Sequence, residues 1–392
     1  MHTLAALGAT FLLAAAPLPT PELTPAARES APVTDHCPHA LAPAEPVSAS
    51  ETLAPGQQAP APPPVAVEGN CGVSAADGYA VPEELTASAW IVADVDSGEI
   101  IAQKDPHGRY RPASIIKVLL TMVAIHELSL DKVHVVSEET ASQEGSSVGL
   151  GAGGRYTVEQ LLHGVLLGSG NDAAHALAQE LGGDEATLTK INDYARSLGT
   201  VDTLAASYSG LDKAGMSTSA HDLGMMYRAA FTDPVFARIA NTDFIDFPGY
   251  GDVDGYELWN DNGLLLNDPD GIGGKTGFTD DANHTFVGAL DRDGRRLMAV
   301  VLDTTLDAGR PWEQAQRLLH AAYDLTPGGG VGELVPVETA SPAATPTPDM
   351  ALAAPADTGS TERGQGVGAT AIALLGAAAL AAAGAVLLLR RR

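Results

Sequence analysis

The sequence predicts an α/β (α+β) fold: an antiparallel sheet of about five strands flanked by helices, with a helical lobe inserted between its early and late strands. Strand-like segments occur only at the two ends of the stretch 85–325, the middle of that stretch has helical periodicity, and a last amphipathic helix closes it. "SAWIVADV" alternates as a strand, Asp96-Ser97-Gly98 turns the chain, and "EIIAQK" is the hairpin partner. The middle holds "RPASIIKVLL", "TVEQLLHGVLL" with Thr157 and Gln160 spaced as a capping box, and "NDAAHALAQEL" stopped by Gly182-Gly183. "GIGGKTGF", "HTFVGAL" and, after an Asp293-Gly294 turn, "RRLMAVVLD" are three further strands. "PWEQAQRLLHAAYDL" is the closing helix, with Pro311 in its first turn. The first and last strand segments are expected to pair.

Around this domain the composition changes. Residues 1–27 contain an apolar core from Leu4 to Ala16, too short to span a bilayer, and read as a secretory signal whose cleavage point Pro17 obscures. Residues 28–84 are rich in Pro and Ala and are expected to be extended and mostly unfolded. Residues 326–366 form a Pro/Thr-rich linker. Residues 367–389 are uncharged and long enough to cross a membrane, and Arg390, Arg391 and Arg392 place the tail in the cytoplasm and the rest outside. A buried Ala-rich helix is the alternative for 367–389. The PADTG run at 355–359 resembles a sortase sorting signal, with Pro355 off pattern.

Charge and cysteine content narrow the function. Lys plus Arg number 22 against 49 Asp plus Glu, a net charge of −27, so a nucleic-acid partner is excluded for want of a basic face. Cys37 and Cys71 are the two cysteines; outside the cytoplasm such a pair suits a disulfide. Two thiols exclude a zinc site built on cysteine, no histidine spacing suggests a metal, and no cofactor is implied. "GLGAGG" at 149–154 lacks the preceding strand a dinucleotide site needs and reads as a loop.

Lysine is scarce, at positions 104, 117, 132, 190, 213 and 275. Lys117 nevertheless lies among Ile115, Ile116, Val118, Leu119 and Leu120, where Pro112 and Ser114 suit the start and cap of a helix. Burial disfavours the charged amine, and a neutral amine one turn from Ser114 is a general base beside a nucleophile. A snorkelling lysine explains the same four residues. Two more segments add weight. Ser169-Gly170-Asn171 makes a turn just before a helix, though an ordinary glycine turn with a cap does so too. Lys275-Thr276-Gly277 lies on a glycine-rich strand that another backbone could approach closely, or that could be a bulge.

S-x-x-K, S-x-N and K-T-G in that order, on helix, loop and strand, resemble the penicillin-binding proteins and serine β-lactamases. "RPASIIKVL", "SGNDAAHALA", "GGKTGFTDDA" and "HTFVGA" are most similar to the low-molecular-mass D-alanyl-D-alanine carboxypeptidases, over about Ala89 to Tyr323. The resemblance implies a β-lactamase/DD-peptidase-like fold and a serine hydrolase that removes terminal D-alanine from peptidoglycan stem peptides ending in D-Ala-D-Ala. It implies Ser114 as nucleophile, Lys117 as base and Ser169 as proton relay. Asn171 would hold the substrate amide and steady Lys117, while Lys275, Thr276 and Gly277 would bind the substrate carboxylate end. The backbone N–H groups of Ser114 and Phe278 would form the oxyanion hole, and β-lactams would acylate Ser114. The implied location is the cell envelope; many relatives are held there by an amphipathic tail, whereas residues 367–389 of this chain read as a span. Many relatives carry a β-rich domain after the catalytic one, where this chain has the linker. A serine β-lactamase is the near alternative, although Glu257-Leu258-Trp259-Asn260 is one residue short of E-x-x-L-N. A silent, membrane-tethered peptidoglycan-binding module is the alternative outside enzymes.

Overall fold

The computed structural model describes residues 27–336. The strands are β1 (Val73–Ala75), β2 (Ala89–Asp94), β3 (Glu99–Lys104), β4 (Val133–Val135), β5 (Arg155–Thr157), β6 (Phe244–Phe247), β7 (Tyr256–Trp259), β8 (Gly271–Thr279), β9 (Asn283–Arg292), β10 (Arg295–Thr304) and β11 (Gly332–Glu333). The helices are α1 (Lys117–Glu127), α2 (Glu138–Ala141), α3 (Val158–Leu167), α4 (Asn171–Glu180), α5 (Asp184–Ser197), α6 (Ala220–Thr232), α7 (Pro234–Ala240), α8 (Gly263–Asn267) and α9 (Pro311–Tyr323).

The main sheet runs β1-β3-β2-β10-β9-β8, with β11 also on β3. Every pairing in it is antiparallel, and early β2 pairs late β10, Ile91 opposite Val300. The expected five strands are the contiguous run β3-β2-β10-β9-β8, with β8 at one edge. Two short edge strands bring it to seven, because β1 and β11 share the outer edge of β3. Strand alternation divides the core in two. Ile91, Ala93, Val287, Met298 and Val300 pack with Leu119, Val123, Leu223 and Tyr227 of the helical lobe. Trp90, Val92, Phe286, Leu297, Ala299 and Val301 face Ala315, Leu318, Leu319 and Ala322 of α9. Burial on both faces makes the sheet a stiff frame. Thr157 and Gln160 form the capping box of α3, and Asp293 and Gly294 both take positive φ in the tight β9–β10 turn.

Residues 28–84 differ from the unfolded segment that their composition suggests. They hold little regular structure but lie pinned on the domain. Cys37 and Cys71 form a disulfide, Arg28 Nη1 donates to Asp303 O at 2.7 Å, and Lys104 Nζ donates to Pro32 O at 2.6 Å. Arg109 Nη1 donates to Leu41 O at 3.0 Å and Arg111 Nε to Glu51 at 2.5 Å. Apart from Arg28 and the two cysteines, these anchors are long-range side chains of the domain, so the segment's own pattern carries little trace of them. The folded unit also continues past 325, since β11 pairs β3 and Leu334 is fully buried. The expected signal segment (apart from Ala27), the linker beyond 336, the membrane helix 367–389 and the tail 390–392 lie outside the described residues. Among the described residues, no helix is long and apolar enough to cross a membrane.

The disulfide joins positions 34 residues apart, a loop whose closure is worth about 3–4 kcal/mol in the chain-entropy account. Replacing both cysteines by serine is expected to open residues 38–70 to limited proteolysis while the sheet core stays resistant. Peptide mass mapping of the early cuts checks this.

Candidate active site

The central groups stand on a short 3-10 turn, Ala113–Ile116, which runs directly into α1 at Lys117. Ser114 is therefore inside the turn, and not the side-chain cap that the sequence suggests; Pro112 holds the cap position. Two outside contacts fix the turn. Thr285 Oγ1 on β9 donates to Pro112 O at 2.7 Å, and Tyr227 OH on α6 donates to Ile115 O at 2.8 Å. Ala113 is held at φ 49°, a left-handed conformation that costs a residue with a Cβ about 1–2 kcal/mol. Such outliers persist only where surrounding contacts over-determine them.

Lys117 Nζ lies 2.8 Å from Ser114 Oγ and 2.5 Å from Ser209 O. The lysine is fully buried, while Ser114 is partly open to solvent. Desolvation, and then repulsion by Lys275, push the Lys117 pKa well below its ordinary value; Asp261 and Asp172 oppose this weakly. In the neutral amine the Ser114 hydroxyl donates to the Nζ lone pair, and an amine N–H donates to Ser209 O. This is the arrangement of a base poised on a nucleophile.

Lys275 is also fully buried, on β8, the edge strand beside β9. Burial lowers its pKa, and Asp261, 3.9 Å away, counteracts the shift. Its Nζ donates to Thr276 O at 3.0 Å, and Thr276 Oγ1 donates to Asp261 Oδ2 at 2.8 Å. Gly277 then allows a close approach: a Cβ there would meet Thr285 Oγ1 at 2.3 Å and Ser114 N at 3.0 Å. Gly210 does the same from the opposite side, with φ 85° and Ala113 O 2.1 Å from where its Cβ would be. Phe278, the next residue along β8, is half exposed, and its ring packs at a tilt of 40° against His284.

Ser169 is buried in the turn between α3 and α4 at φ 57°, and Asn171 opens α4. Asn171 does not hydrogen-bond Lys117. Its Nδ2 donates to Glu144 O at 2.6 Å and its buried Oδ1 has no partner among the described residues. Sequence reasoning missed Ser209, Asp261 and Thr285. The first acts through a backbone carbonyl and the other two belong to no motif, so no spacing points to them. Asp172 was visible beside Asn171; its carboxylate accepts from Ser147 Oγ, Val148 N and Leu150 N, holding the loop that faces Asn171.

With this geometry in place, the sequence profile of the D-alanyl-D-alanine carboxypeptidase family (Peptidase_S11) matches residues 76–305, more than half of the chain. The chain belongs to this family. It is 44% identical over 252 residues to the D-alanyl-D-alanine carboxypeptidase DacB2 of Mycobacterium tuberculosis, covering 63% of this chain and 86% of that one. To the Escherichia coli D-alanyl-D-alanine carboxypeptidase DacD it is 31% identical over 253 residues, covering 61% and 63%. A crystal structure of a D-alanyl-D-alanine carboxypeptidase from Mycobacterium tuberculosis superposes with a TM-score of 0.63 at 40% identity, covering 66% of this chain and 99% of that one. Strands β2, β3, β8, β9 and β10, the helical lobe and all three motifs lie within the matched span.

Two outcomes are expected of this carboxypeptidase-family site. A lysine amine can take the Ser114 proton only when neutral, so if Lys117 is the base, acylation by a β-lactam is expected to rise as pH climbs through its pKa. Lys275→Met removes a charge that holds this pKa down. The rise should therefore move to higher pH, with the plateau rate about 10- to 100-fold lower for loss of a charged hydrogen bond. Stopped-flow acylation across pH checks both parts. Gly277→Ala should displace the Ser114 amide and slow acylation by about 100-fold, the order expected for a misplacement near 1 Å. An unchanged acylation rate in that variant would contradict the close approach.

Proposed function

We propose that the chain is a serine-type D-Ala-D-Ala carboxypeptidase that removes the terminal D-alanine from peptidoglycan stem peptides through an acyl-enzyme on Ser114. The observation that carries this reading is the buried Lys117 amine 2.8 Å from the Ser114 hydroxyl, with the Lys275 strand packed against the same turn. Family membership supports it.

The steps follow from the groups present. Lys117 takes the Ser114 proton as Oγ attacks the carbonyl carbon of the penultimate D-alanine. The N–H groups of Ser114 and Phe278 receive the developing oxyanion, an arrangement worth about 3 kcal/mol per donor in other hydrolases. Lys275 and Thr276 hold the terminal carboxylate, which sets the scissile bond over Ser114. Collapse of the tetrahedral adduct breaks the C–N bond, and the proton that Lys117 took from Ser114 passes through Ser169 to the departing amine of D-alanine, leaving Lys117 neutral. Water, activated by the same neutral Lys117, then cleaves the ester and returns the proton to Ser114. Asn171, with its free Oδ1, is placed to accept from a substrate amide N–H. β-Lactams present a strained amide to the same groups and would leave a stable ester on Ser114.

We further infer an extracytoplasmic domain that begins after a signal segment at 1–27 and is tethered by a span at 367–389. The Cys37–Cys71 disulfide, which suits an oxidising compartment, supports this placement.

Ser114→Ala is expected to abolish labelling by a fluorescent penicillin and to lower D-alanine release from a D-Ala-D-Ala peptide by at least about 10⁴-fold. Rapid loss of label from the wild type would instead identify a β-lactamase, and labelling without D-alanine release a binding module. Mass spectrometry of the mature chain tests the tether: an intact Arg392 agrees with the span, and an end at Thr358 with sorting.

A further inference from the structure

β8 lies at the end of the main sheet, so an extended peptide can be added along it. With Lys275 and Thr276 on the substrate carboxylate and the Phe278 amide on the scissile carbonyl, the direction of the peptide is fixed. Its upstream residues run from Gly277 toward Thr279 and the β8–β9 turn. At about 3.3 Å per residue, two further residues carry it to Asp280 and Asp281. A cavity of about 520 Å³ opens there, lined by Ser48, Ser50, Glu144, Leu211, Phe278 and Asp280. Two of these residues, Ser48 and Ser50, belong to the N-terminal segment and lie outside the family's matched span.

The segment is fastened at both ends of this cleft. The Asp281 carboxylate accepts from Val47 N at 2.7 Å, Ser48 N at 2.8 Å, Ser48 Oγ at 2.7 Å and Ser50 Oγ at 2.6 Å. On the side of the nucleophile, Arg111 donates to Glu51 at 2.5 Å and to Ala44 O at 2.8 Å, three residues before Ser114. Residues 44–51 therefore bridge from the turn that carries Ser114 to the far end of β8. Four bonds on one carboxylate hold this bridge in place, and the Cys37–Cys71 disulfide closes the loop behind it.

We propose that residues 47–51 form one wall of the subsite for the substrate peptide upstream of the scissile bond, so that the N-terminal segment selects stem peptides over D-Ala-D-Ala alone. This rests on the carboxypeptidase reading above. The lining sets the hydroxyl and charged groups of Ser48, Ser50, Glu144 and Asp280 beside the apolar surfaces of Leu211 and Phe278, which suits a peptide that carries both polar and aliphatic groups. A short substrate ends before it reaches the wall, and a longer one is flanked by it.

The test compares kcat/KM of the full chain for acetyl-D-Ala-D-Ala and for the pentapeptide L-Ala-γ-D-Glu-L-Lys-D-Ala-D-Ala. Ser50 is exposed, so Ser50→Trp can fill the cavity from the surface without disturbing the core. The ratio of pentapeptide to dipeptide kcat/KM is expected to fall about tenfold, through the pentapeptide KM. Ser48→Ala with Ser50→Ala, which loosens the wall, should lower the same ratio about threefold. A ratio unchanged in both variants, or equal losses on both substrates, overturns the proposal and leaves the segment a structural support. A wild type that hydrolyses neither substrate and is not acylated by penicillin overturns the underlying reading as well.

Discussion

Two lysines share one buried cleft, and the rest of the site is organised around which of them keeps its proton. Both are shut off from solvent, and burial alone would lower both pKa values. Their surroundings separate them. Lys275 has the Asp261 carboxylate 3.9 Å away and the oxygens of Thr276 as acceptors, so it keeps its charge more readily. Among the described residues, the hydrogen-bond partners of the Lys117 amine are a carbonyl and a hydroxyl, and the charge of Lys275 repels its own. The amine beside Ser114 is therefore the one whose pKa falls further. The substrate's carboxylate would make this arrangement tighter by settling on the ammonium that remains.

Such an arrangement works only if the parts are held within a few tenths of an ångström. The sheet, packed on both faces, supplies that rigidity. β9 reaches the nucleophile turn through Thr285, α6 reaches it through Tyr227, and β8 reaches it through the missing side chain of Gly277. The left-handed Ala113 sits in the middle of these contacts. Its strain is local, and three separate elements prevent the turn from relaxing.

Much of this was legible in the sequence because it follows local periodicities. The alternation of β2, β9 and β10, the Thr157–Gln160 capping box and the Asp293-Gly294 turn all depend on neighbours within a few residues. The three motifs were legible for a related reason, since each confines its chemistry to one turn or one strand. What escaped notice depends on distant partners. β1 and β11 are three and two residues long, too short for any period to register. Ser209 contributes a carbonyl, which every residue type has. Residues 28–84 have the composition of an unfolded chain, and partners distant in sequence, among them the domain's Arg109, Arg111, Lys104 and Asp281, hold them in place.

The same contrast explains how the N-terminal segment can remain poor in apolar residues and still be ordered. Its order does not come from a core of its own, because Pro and Ala offer too little surface to offset the lost chain entropy. It comes from a covalent loop that lowers that entropy in advance, and from charged side chains of the domain that bind its backbone carbonyls and hydroxyls. Proline, which has no N–H and a restricted φ, loses little more by being laid flat on a surface. A segment of this kind can vary in its exposed positions without weakening its anchors. It is therefore suited to line the mouth of a cleft whose chemistry is fixed elsewhere.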